Sequence, residues 1–189
     1  AANMESFGTH HIINPFARFG EQLALAIAAP VNYRLLAWLT GLPGTVLEAP
    51  MSPPRGAWVV CGYGRFGREV VRAFHAHGLE VTVIDPNAPT GPDLPTVRGT
   101  GTEAGPLVEA GIREASGIVA GTDDDVNNLS IVVTARELNP GLFTIVRQNL
   151  QANRALFDAF DADMTMVSSE LIASECLAVI RAPSLGPFL

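Results

Sequence analysis

The stretch VVCGYGRFGREV constrains the fold more than any other feature of the chain. Its glycines, Gly62, Gly64 and Gly67, give the spacing GxGxxG between an apolar run and an amphipathic segment. At a strand–turn–helix junction the first glycine makes the tight turn, the second lets the backbone approach a pyrophosphate, and the third lets the helix pack closely. A second apolar run, LEVTVID, ends in Asp85, where an acid binds ribose hydroxyls and disfavours a 2′-phosphate. The pattern predicts a site for NAD(H) or an adenine nucleotide; the alternative is a loop that kept its shape after losing the ligand.

Short apolar runs alternate with segments of helical periodicity through most of the chain. The runs are AWVVCG, LEVTVID, TVRG, GIVAGT, LFTIVRQ and DMTMVSS. Continuous apolar runs are typical of strands that are buried on both faces of a parallel sheet. The proline-rich link PNAPTGPDLP is predicted to be an irregular loop, whereas the other links read as helices. The sequence therefore predicts an α/β fold: a Rossmann-like, doubly wound, mostly parallel six-stranded sheet with helices on both faces.

The first fifty residues suggest a partial repeat of the chain's end. In both places a β-like stretch, HHIIN or DMTMV, precedes an apolar helix that ends in Ala-Pro. Superposing the two aligns four pairs of identical residues: Phe7 with Phe160, Ile27 with Ile180, Ala29 with Ala182, and Pro30 with Pro183. A proline-dense break, PMSPPR, then precedes the first predicted strand. We predict that residues 1–30 are the tail of a preceding similar domain, 31–55 a linker, and 56–189 the nucleotide-binding domain.

Charge and composition narrow the function further. The net charge is -7, from 12 basic and 19 acidic side chains, so no positive field favours nucleic acid as a partner. Cys61 and Cys176 have no metal-type spacing, which indicates reduced core thiols in an intracellular protein. The apolar stretch EQLALAIAAPVNYRLLAWLTGL is interrupted by Pro30, Asn32 and Arg34 and lacks a basic leader. We therefore expect neither a membrane span, which needs roughly 20 apolar residues, nor a signal peptide.

Charged residues at three places in the sequence each have two possible roles. Asp123, Asp124 and Asp125 precede a predicted helix, where they either cap its free amides or lie near a ligand or cation. Arg65 sits inside the glycine loop and either lies across the phosphates or is solvated. Arg147 follows the fifth strand, at the sheet edge where such folds bind ligands, and either contacts the ligand or forms a surface ion pair.

Taken in order, these motifs identify a resemblance. Residues 56–168 resemble the regulator-of-potassium-conductance domain (RCK, also called KTN or TrkA-N) of potassium channels and transporters. The matching motifs are GYGRFG, Asp85, Gly99 to Thr102, TDDDVNN, and Val146-Arg147. The family has an aspartate where this chain has Thr100. The resemblance implies a cytoplasmic sensing domain at the inner face of the cell membrane, which pairs with other RCK domains as a homodimer or ring and acts on a potassium pore or transporter.

The motifs and the resemblance together define the predicted ligand-binding residues. They are Gly62, Tyr63, Gly64, Arg65, Phe66, Gly67, Asp85, Pro86, Gly99, Thr100, Thr122, Asp123 and Arg147. In the family the final helix crosses to a neighbouring domain. The segment SELIASECLAVIRAP would supply that contact through Leu171, Ile172, Cys176, Leu177 and Ile180, unless this stripe packs on its own sheet.

Two other function classes stay open. A dehydrogenase uses the same loop, but it also needs a region that holds substrate against the nicotinamide, with an acid or base in reach. Only a short apolar segment follows the sixth run, and the chain has no lysine for a Tyr-x-x-x-Lys pair. His75 and His77 lie at the far end of the first helix, and His10 and His11 would point to opposite faces of a strand, which disfavours a metal site. We expect no enzyme; the third class is an assembly-only module with a decayed nucleotide site.

Overall fold

The computed structural model describes residues 14–32, 53–87, 91, 94–167, 169–170 and 172–173. Six strands form one sheet in the order β3-β2-β1-β4-β5-β6. The strands are β1 (Trp58–Cys61), β2 (Val81–Ile84), β3 (Thr96–Val97), β4 (Gly117–Ala120), β5 (Phe143–Gln148) and β6 (Met164–Val167). Every neighbouring pair is parallel. The prediction of a doubly wound, mostly parallel sheet is confirmed, and all six apolar runs contain a strand.

The helices follow the predicted alternation. They are α1 (Pro15–Ala28), α2 (Arg65–Ala76), α3 (Ala104–Glu109), α4 (Asp125–Leu138) and α5 (Arg154–Phe160), the last preceded by a 3₁₀ turn at Gln151–Asn153. The described part of the link between β2 and β3 contains no helix, only an isolated bridge between Gly91 and Leu94. A right-handed connection between parallel strands requires the helix to lie on a defined face. The sequence of crossovers therefore fixes which helix covers which face.

The two faces of the sheet have separate cores. Trp58 and Val60 of β1 point to one face, where they join a cluster with buried residues of α1 and α2. Val59 and Cys61 point to the other face, where they join buried residues of α3, α4 and α5. Successive side chains of a strand alternate between faces, so apolar residues at both parities are buried. This explains why the strands appear in the sequence as continuous apolar runs.

Hydrogen bonds hold both ends of helix α1 against the rest of the domain. Near its start Asn14 donates a side-chain hydrogen bond to the Glu69 carboxylate at 3.0 Å. At its end Arg55 donates from Nε to the carbonyl oxygen of Ile27 at 3.3 Å. The helices approach closely in between, because a Cβ on Gly20 would lie 2.9 Å from the carbonyl oxygen of Glu69. The segment before the proline-dense break is thus packed onto the domain that follows it.

Several predictions concern parts of the chain outside the described residues. Apart from Asn14, the predicted strand at HHIIN lies there, as do residues 33–52 of the predicted linker. The final helix begins with helical residues at 169–170 and 172–173, but its later contact residues also lie outside. The domain boundaries at 30 and 55 therefore stay predictions. Among the helices of the described residues, none has both the length and the apolar character to cross a membrane.

Candidate nucleotide-binding site

A cavity of about 330 Å³ lies at the carboxyl ends of the central strands. The chain leaves β1 toward β2 on one side and returns to β4 on the other, so the cavity lies at the point where the strand order reverses. Open α/β sheets bind their ligands at this point. The lining residues are Cys61, Gly62, Gly64, Ile84, Asp85, Pro86, Gly99, Thr100, Gly101, Thr102, Gly121, Thr122, Asp123, Asn127 and Ile131.

The three glycines of the loop have three different surroundings. Gly62 has φ +93°, a conformation that favours glycine, and its N–H donates to the carbonyl oxygen of Ile84 at 2.9 Å. A Cβ on Gly67 would overlap the carbonyl oxygen of Gly62, so helix and strand approach too closely for any side chain. A Cβ on Gly64 would meet nothing within 4 Å. The open space lies at the middle glycine, where the motif predicts the approach of a pyrophosphate.

The start of α2 is open toward the cavity. Gly64 is its N-cap residue and provides no side-chain hydrogen bond to the first amides of the helix. Uncapped amides at a helix start, together with the helix dipole, favour a bound anion. This arrangement fits the phosphates of a nucleotide.

Two predicted residues at this helix start do not line the cavity. Arg65 is exposed, and no ion pair joins it to the described part of the chain. Phe66 has an exposed fraction of 0%. Its ring lies under Gly121, where a Cβ would come within 2.5 Å of the ring. Phe66 therefore supports the loop from the core and does not contribute to the cavity lining.

Asp85 connects the glycine loop to the end of β2. One carboxylate oxygen accepts a hydrogen bond from the N–H of Tyr63 at 2.7 Å, and the other accepts from the N–H of Asn87 at 2.7 Å. Each oxygen retains a second lone pair that can accept from a ligand. The Tyr63 ring does not line the cavity but faces Arg68, whose Cζ lies 5.5 Å from the ring centroid. Asp85 is thus both a lining residue and a structural anchor of the loop.

The three consecutive aspartates have three separate roles. Asp124 caps α4 by accepting from the N–H of Asn127 at 2.8 Å, which confirms the capping interpretation for this residue. Asp125 is buried, with an exposed fraction of 5%, and binds the loop after β5. Its carboxylate accepts from the N–H of Asn149 at 2.6 Å and from the side chain of Asn153 at 2.7 Å. Asp123 alone lines the cavity, with its side chain 92% exposed.

The pKa of Asp125 reflects this environment. Burial by itself would raise the pKa, but hydrogen bonds from Asn149, Asn153 and Leu150 lower it below its ordinary value. The side chain is therefore a carboxylate at neutral pH. Its negative charge is compensated by four donors, two of them backbone amides.

Asn128, the last residue of the TDDDVNN motif, is a buried polar residue that was not among the predicted ligand-binding residues. Its Oδ1 accepts from the N–H of Thr122 at 2.8 Å and from the Thr122 hydroxyl at 2.7 Å. Its Nδ2 donates to the carbonyl oxygen of Arg147 at 2.9 Å. Asn128 therefore fixes the loop after β4 against the end of β5, and it explains why the segment TDDDVNN ends in asparagine.

Arg147 forms an ion pair, but at a largely buried position. Its Nη1 lies 2.8 Å from Oδ1 of Asp123, and only 11% of its side chain is exposed. The guanidinium lies over two aromatic rings, 4.9 Å from the centroid of Phe16 in α1 and 5.6 Å from that of Phe66. Arg147 does not line the cavity. It connects α1 to the rim of the cavity through Asp123.

The other end of the cavity has an apolar floor. Burial raises the pKa of Cys61 to about 12, so its thiol is neutral. A Cβ on Gly101 would lie 2.5 Å from that sulfur, and Ile131 of α4 lies beside it. At the position of the family aspartate, the Thr100 hydroxyl accepts a hydrogen bond from the Thr102 hydroxyl at 3.0 Å. A flat apolar base fits this floor better than a charged group does.

The structure brings most of the predicted residues together. Those that line the cavity are Gly62, Gly64, Asp85, Pro86, Gly99, Thr100, Thr122 and Asp123. Those that do not are Tyr63, Arg65, Phe66, Gly67 and Arg147. The sequence reasoning missed the lining residues Cys61, Ile84, Gly101, Thr102, Gly121, Asn127 and Ile131. Their signal was weak: Cys61 and Ile84 end their strands and Gly121 directly follows β4. Asn127 and Ile131 are four apart on one helix face.

The fold defines a Rossmann-like α/β domain, and its cavity lies where such domains bind ligands. The TrkA-N domain family matches residues 58–168, more than half of the chain, and the chain belongs to that family. Potassium channel protein 1 of Methanocaldococcus jannaschii is 26% identical over 97 residues, covering 48% of this chain and 29% of that protein. The Trk system potassium uptake protein TrkA homolog of Pyrococcus horikoshii is 27% identical over 106 residues, covering 53% and 46%. The chain spans less than half the length of these relatives.

Solved structures show the same fold. The crystal structure of GsuK bound to ADP superposes with a TM-score of 0.65 at 21% identity, covering 92% of this chain and 40% of that one. The GsuK channel bound to NAD superposes with a TM-score of 0.58 at 25% identity, covering 79% and 26%. The resemblance of the chain to RCK domains, inferred from its motifs, is confirmed by these similarities.

Proposed function

We propose that this chain is a ligand-sensing regulatory domain of a potassium channel or transporter, and that it binds NAD(H) or an adenine nucleotide at the glycine loop. One observation carries the proposal: the cavity joins the uncapped start of α2 to Asp85. Relatives named as a potassium channel and as a potassium uptake protein support the regulatory role. The solved GsuK structures with ADP and with NAD support the ligand class.

Each part of the ligand has a matching surface in the cavity. The amides at the start of α2 suit the phosphates, and the open space at Gly64 gives them room. The free lone pairs of Asp85 suit ribose hydroxyls. The apolar floor at Cys61 and Ile131 suits the adenine ring.

Helix α1 supplies the route by which the site acts on the rest of the protein. It precedes the segment that matches the family, and its Phe16 lies against Arg147, which is paired with Asp123 at the cavity rim. A ligand that changes the Asp123–Arg147 pair also changes the surface on which Phe16 rests. We place the whole assembly, with partner RCK domains and the potassium pore or transporter, at the cytoplasmic face of the membrane. The domain itself catalyses no reaction in this proposal.

Ligand-dependent stability tests the binding site. Unfolding midpoints measured with NAD⁺, NADH, ATP, ADP and AMP rise for each nucleotide that binds, since a ligand that binds the folded state adds about 2.7 kcal/mol at one hundred times its Kd. In Asp85→Ala we expect most of that rise to disappear. Because Asp85 also anchors Tyr63, the variant is compared with wild type without ligand first. If no nucleotide shifts the wild-type midpoint, the assembly-only alternative is correct; hydride transfer to any substrate would establish an enzyme.

Hydrogen exchange in α1 tests the route. We expect nucleotide binding to change amide exchange in α1 of the wild type and to have a much smaller effect in Phe16→Ala, because Arg147 loses its aromatic support from that helix. Leu25→Ala is the matched control, since it removes an apolar side chain from the same helix at the end away from Arg147. Equal ligand effects in wild type and Phe16→Ala would show that the signal does not pass through this contact.

A further inference from the structure

We infer that Asn128 is the positioning residue that couples occupancy of the cavity to helix α1; this inference rests on the proposed function. Asn128 itself does not line the cavity, and its exposed fraction is 0%. A buried side-chain amide needs hydrogen-bond partners for its oxygen and for its nitrogen, because an unpaired polar group costs free energy. Its partners therefore identify the parts of the chain that it holds together.

The partners of the Asn128 amide lie at the carboxyl ends of two neighbouring strands, β4 and β5. Besides the two hydrogen bonds that Oδ1 accepts from Thr122, Nδ2 donates to the carbonyl oxygen of Thr122 at 3.0 Å and to that of Arg147 at 2.9 Å. Thr122 lines the cavity, and the guanidinium of Arg147 lies against Phe16 of α1. One planar amide thus connects a cavity-lining loop to the residue that supports α1.

The amide transmits movement because it binds main-chain atoms on both sides. Three of its four hydrogen bonds engage the backbone of Thr122 or Arg147, which cannot rotate away as a side chain can. A ligand that displaces the backbone of Thr122 must therefore move the Asn128 amide or break buried hydrogen bonds, which is costly. Movement of the amide shifts the backbone of Arg147 and with it the surface beneath Phe16.

The Asp123–Arg147 ion pair joins the same two places, but it is the weaker connection. Its two atoms lie 2.8 Å apart, and the Asp123 side chain is 92% exposed. An ion pair with an exposed partner contributes little and is weakened further by salt. The hydrogen bonds of Asn128 are removed from water, so salt leaves them unchanged. We therefore expect the coupling to persist at high salt concentration.

Helix α4 has a second asparagine with the same chemistry at its other end, which serves as the matched control. Nδ2 of Asn139 donates to three carbonyl oxygens of the segment before β4, including those of Ile112 and Ala115 at 3.0 Å. This segment precedes the amino end of β4 and does not line the cavity. Asn139 therefore ties loops together as Asn128 does, but without a connection to the ligand site.

Asn128→Asp tests the inference, because it keeps the shape of the side chain and removes both hydrogen bonds that Nδ2 donates. Hydrogen exchange in α1 is measured with and without whichever of NAD⁺, NADH, ATP, ADP and AMP binds the wild type most tightly, at a concentration that saturates each variant. We expect the ligand-induced change in α1 to fall at least about fivefold in Asn128→Asp and to stay within about twofold of wild type in Asn139→Asp. A merely stabilising role would lower the unfolding midpoint of both variants and leave the ligand-induced change alike in both.

A spectroscopic measurement on the wild-type protein tests the same inference without a variant. The NMR signals of the Asn128 side-chain NH₂ group should shift on saturation with that nucleotide, because its acceptors move, whereas those of Asn139 should not. Unshifted Asn128 signals, an equal loss of the α1 change in both variants, or a change that disappears at high salt while nucleotide stays bound overturns the inference. In each of these cases nucleotide binding, and with it the proposed ligand site, still stands; if no nucleotide binds the wild type, both fail.

Discussion

The helices α2 and α4 begin at the same cavity, but they differ in whether a side chain caps the first amides of the helix. At α2 the N-cap residue is Gly64, and no side chain satisfies the first amides. At α4 the N-cap is Asp124, whose carboxylate accepts a hydrogen bond from the N–H of Asn127 in the first turn of the helix. The amides at the start of α2 are therefore available to an anion, whereas the start of α4 is capped by a side chain of the protein itself. We call the first an open helix start and the second a closed one.

The closed helix start also holds the surrounding loops. Asp125 binds the backbone and side chain of Asn149, and Asn128 binds Thr122 and the carbonyl oxygen of Arg147. The open helix start has no such polar network. With glycine as its N-cap it gives up only about 0.3 kcal/mol of capping energy, and its first amides stay available to a bound anion, which would contribute stability that the unliganded protein lacks.

The largest effect on stability is expected from Gly67→Ala. The added methyl group would overlap the carbonyl oxygen of Gly62, and forcing helix and strand apart in a packed core costs about 3 kcal/mol. Gly64→Ala is the control at the same loop, because its methyl group meets no atom within 4 Å. We expect it to change stability by about 0.5 kcal/mol or less while it weakens nucleotide binding by occupying the open space. Urea unfolding with and without nucleotide measures both; similar stability losses in the two variants would contradict the assigned roles.

A smaller effect is expected from Asp125→Asn, which should cost about 2 kcal/mol at neutral pH, because the charge-assisted hydrogen bonds are lost. The pKa of Asp125 is lowered in the folded state. Its contribution is therefore fully present above the unfolded value of about 3.9 and is lost as the pH falls through the folded value. The stability difference between wild type and Asp125→Asn should shrink on acidification. Chemical unfolding across the acid range measures this difference, and one that is constant with pH would refute the role of the charge.

The smallest effect on stability is expected from Gly64→Asp, which converts the open helix start into a closed one. The residue has φ −74° and extended ψ, so an aspartate fits the cap position. Replacing glycine by aspartate at an N-cap changes the free energy of unfolding by only about 0.3 kcal/mol. The carboxylate would occupy the amides of α2, so nucleotide should no longer raise the unfolding midpoint. Gly64→Asn can cap the same amides without adding a charge, so comparing it with Gly64→Asp distinguishes capping of the helix from repulsion between charges. A variant Gly64→Asp that binds nucleotide normally would show that the start of α2 is not the phosphate site.

The sequence predicted the fold well because the fold depends on patterns of neighbouring residues. Strands that are buried on both faces must be apolar at every position, and each glycine of the loop meets a local requirement, as Gly67 shows. The site was predicted less completely, because its wall combines residues from separate elements. Cys61, Gly101 and Ile131 meet only because the crossovers bring β1, the loop after β3 and α4 together.

Two further features could not be predicted from residues that are neighbours in the sequence. Phe66 lies within the glycine motif, next to Gly67, and nothing in its neighbours indicates that it turns into the core beneath Gly121. Arg147 is buried because Phe16, distant in sequence, lies against its guanidinium. The packing of α1, a long-range contact, therefore covers a guanidinium that the sequence alone would place at the surface.

The way in which the sheet is covered has a consequence for how the domain can be divided. Within the family-matched residues 58–168, α2 is the described helix that joins the first core, whereas α3, α4 and α5 belong to the second. Phe19 and Leu23 of α1 complete the first core from outside the matched segment. A protein trimmed to the matched segment would expose that apolar surface to water and would tend to self-associate. Residue 58, where the match to the family begins, is therefore a poor starting point for a shortened protein, because the hydrophobic core includes residues that precede it.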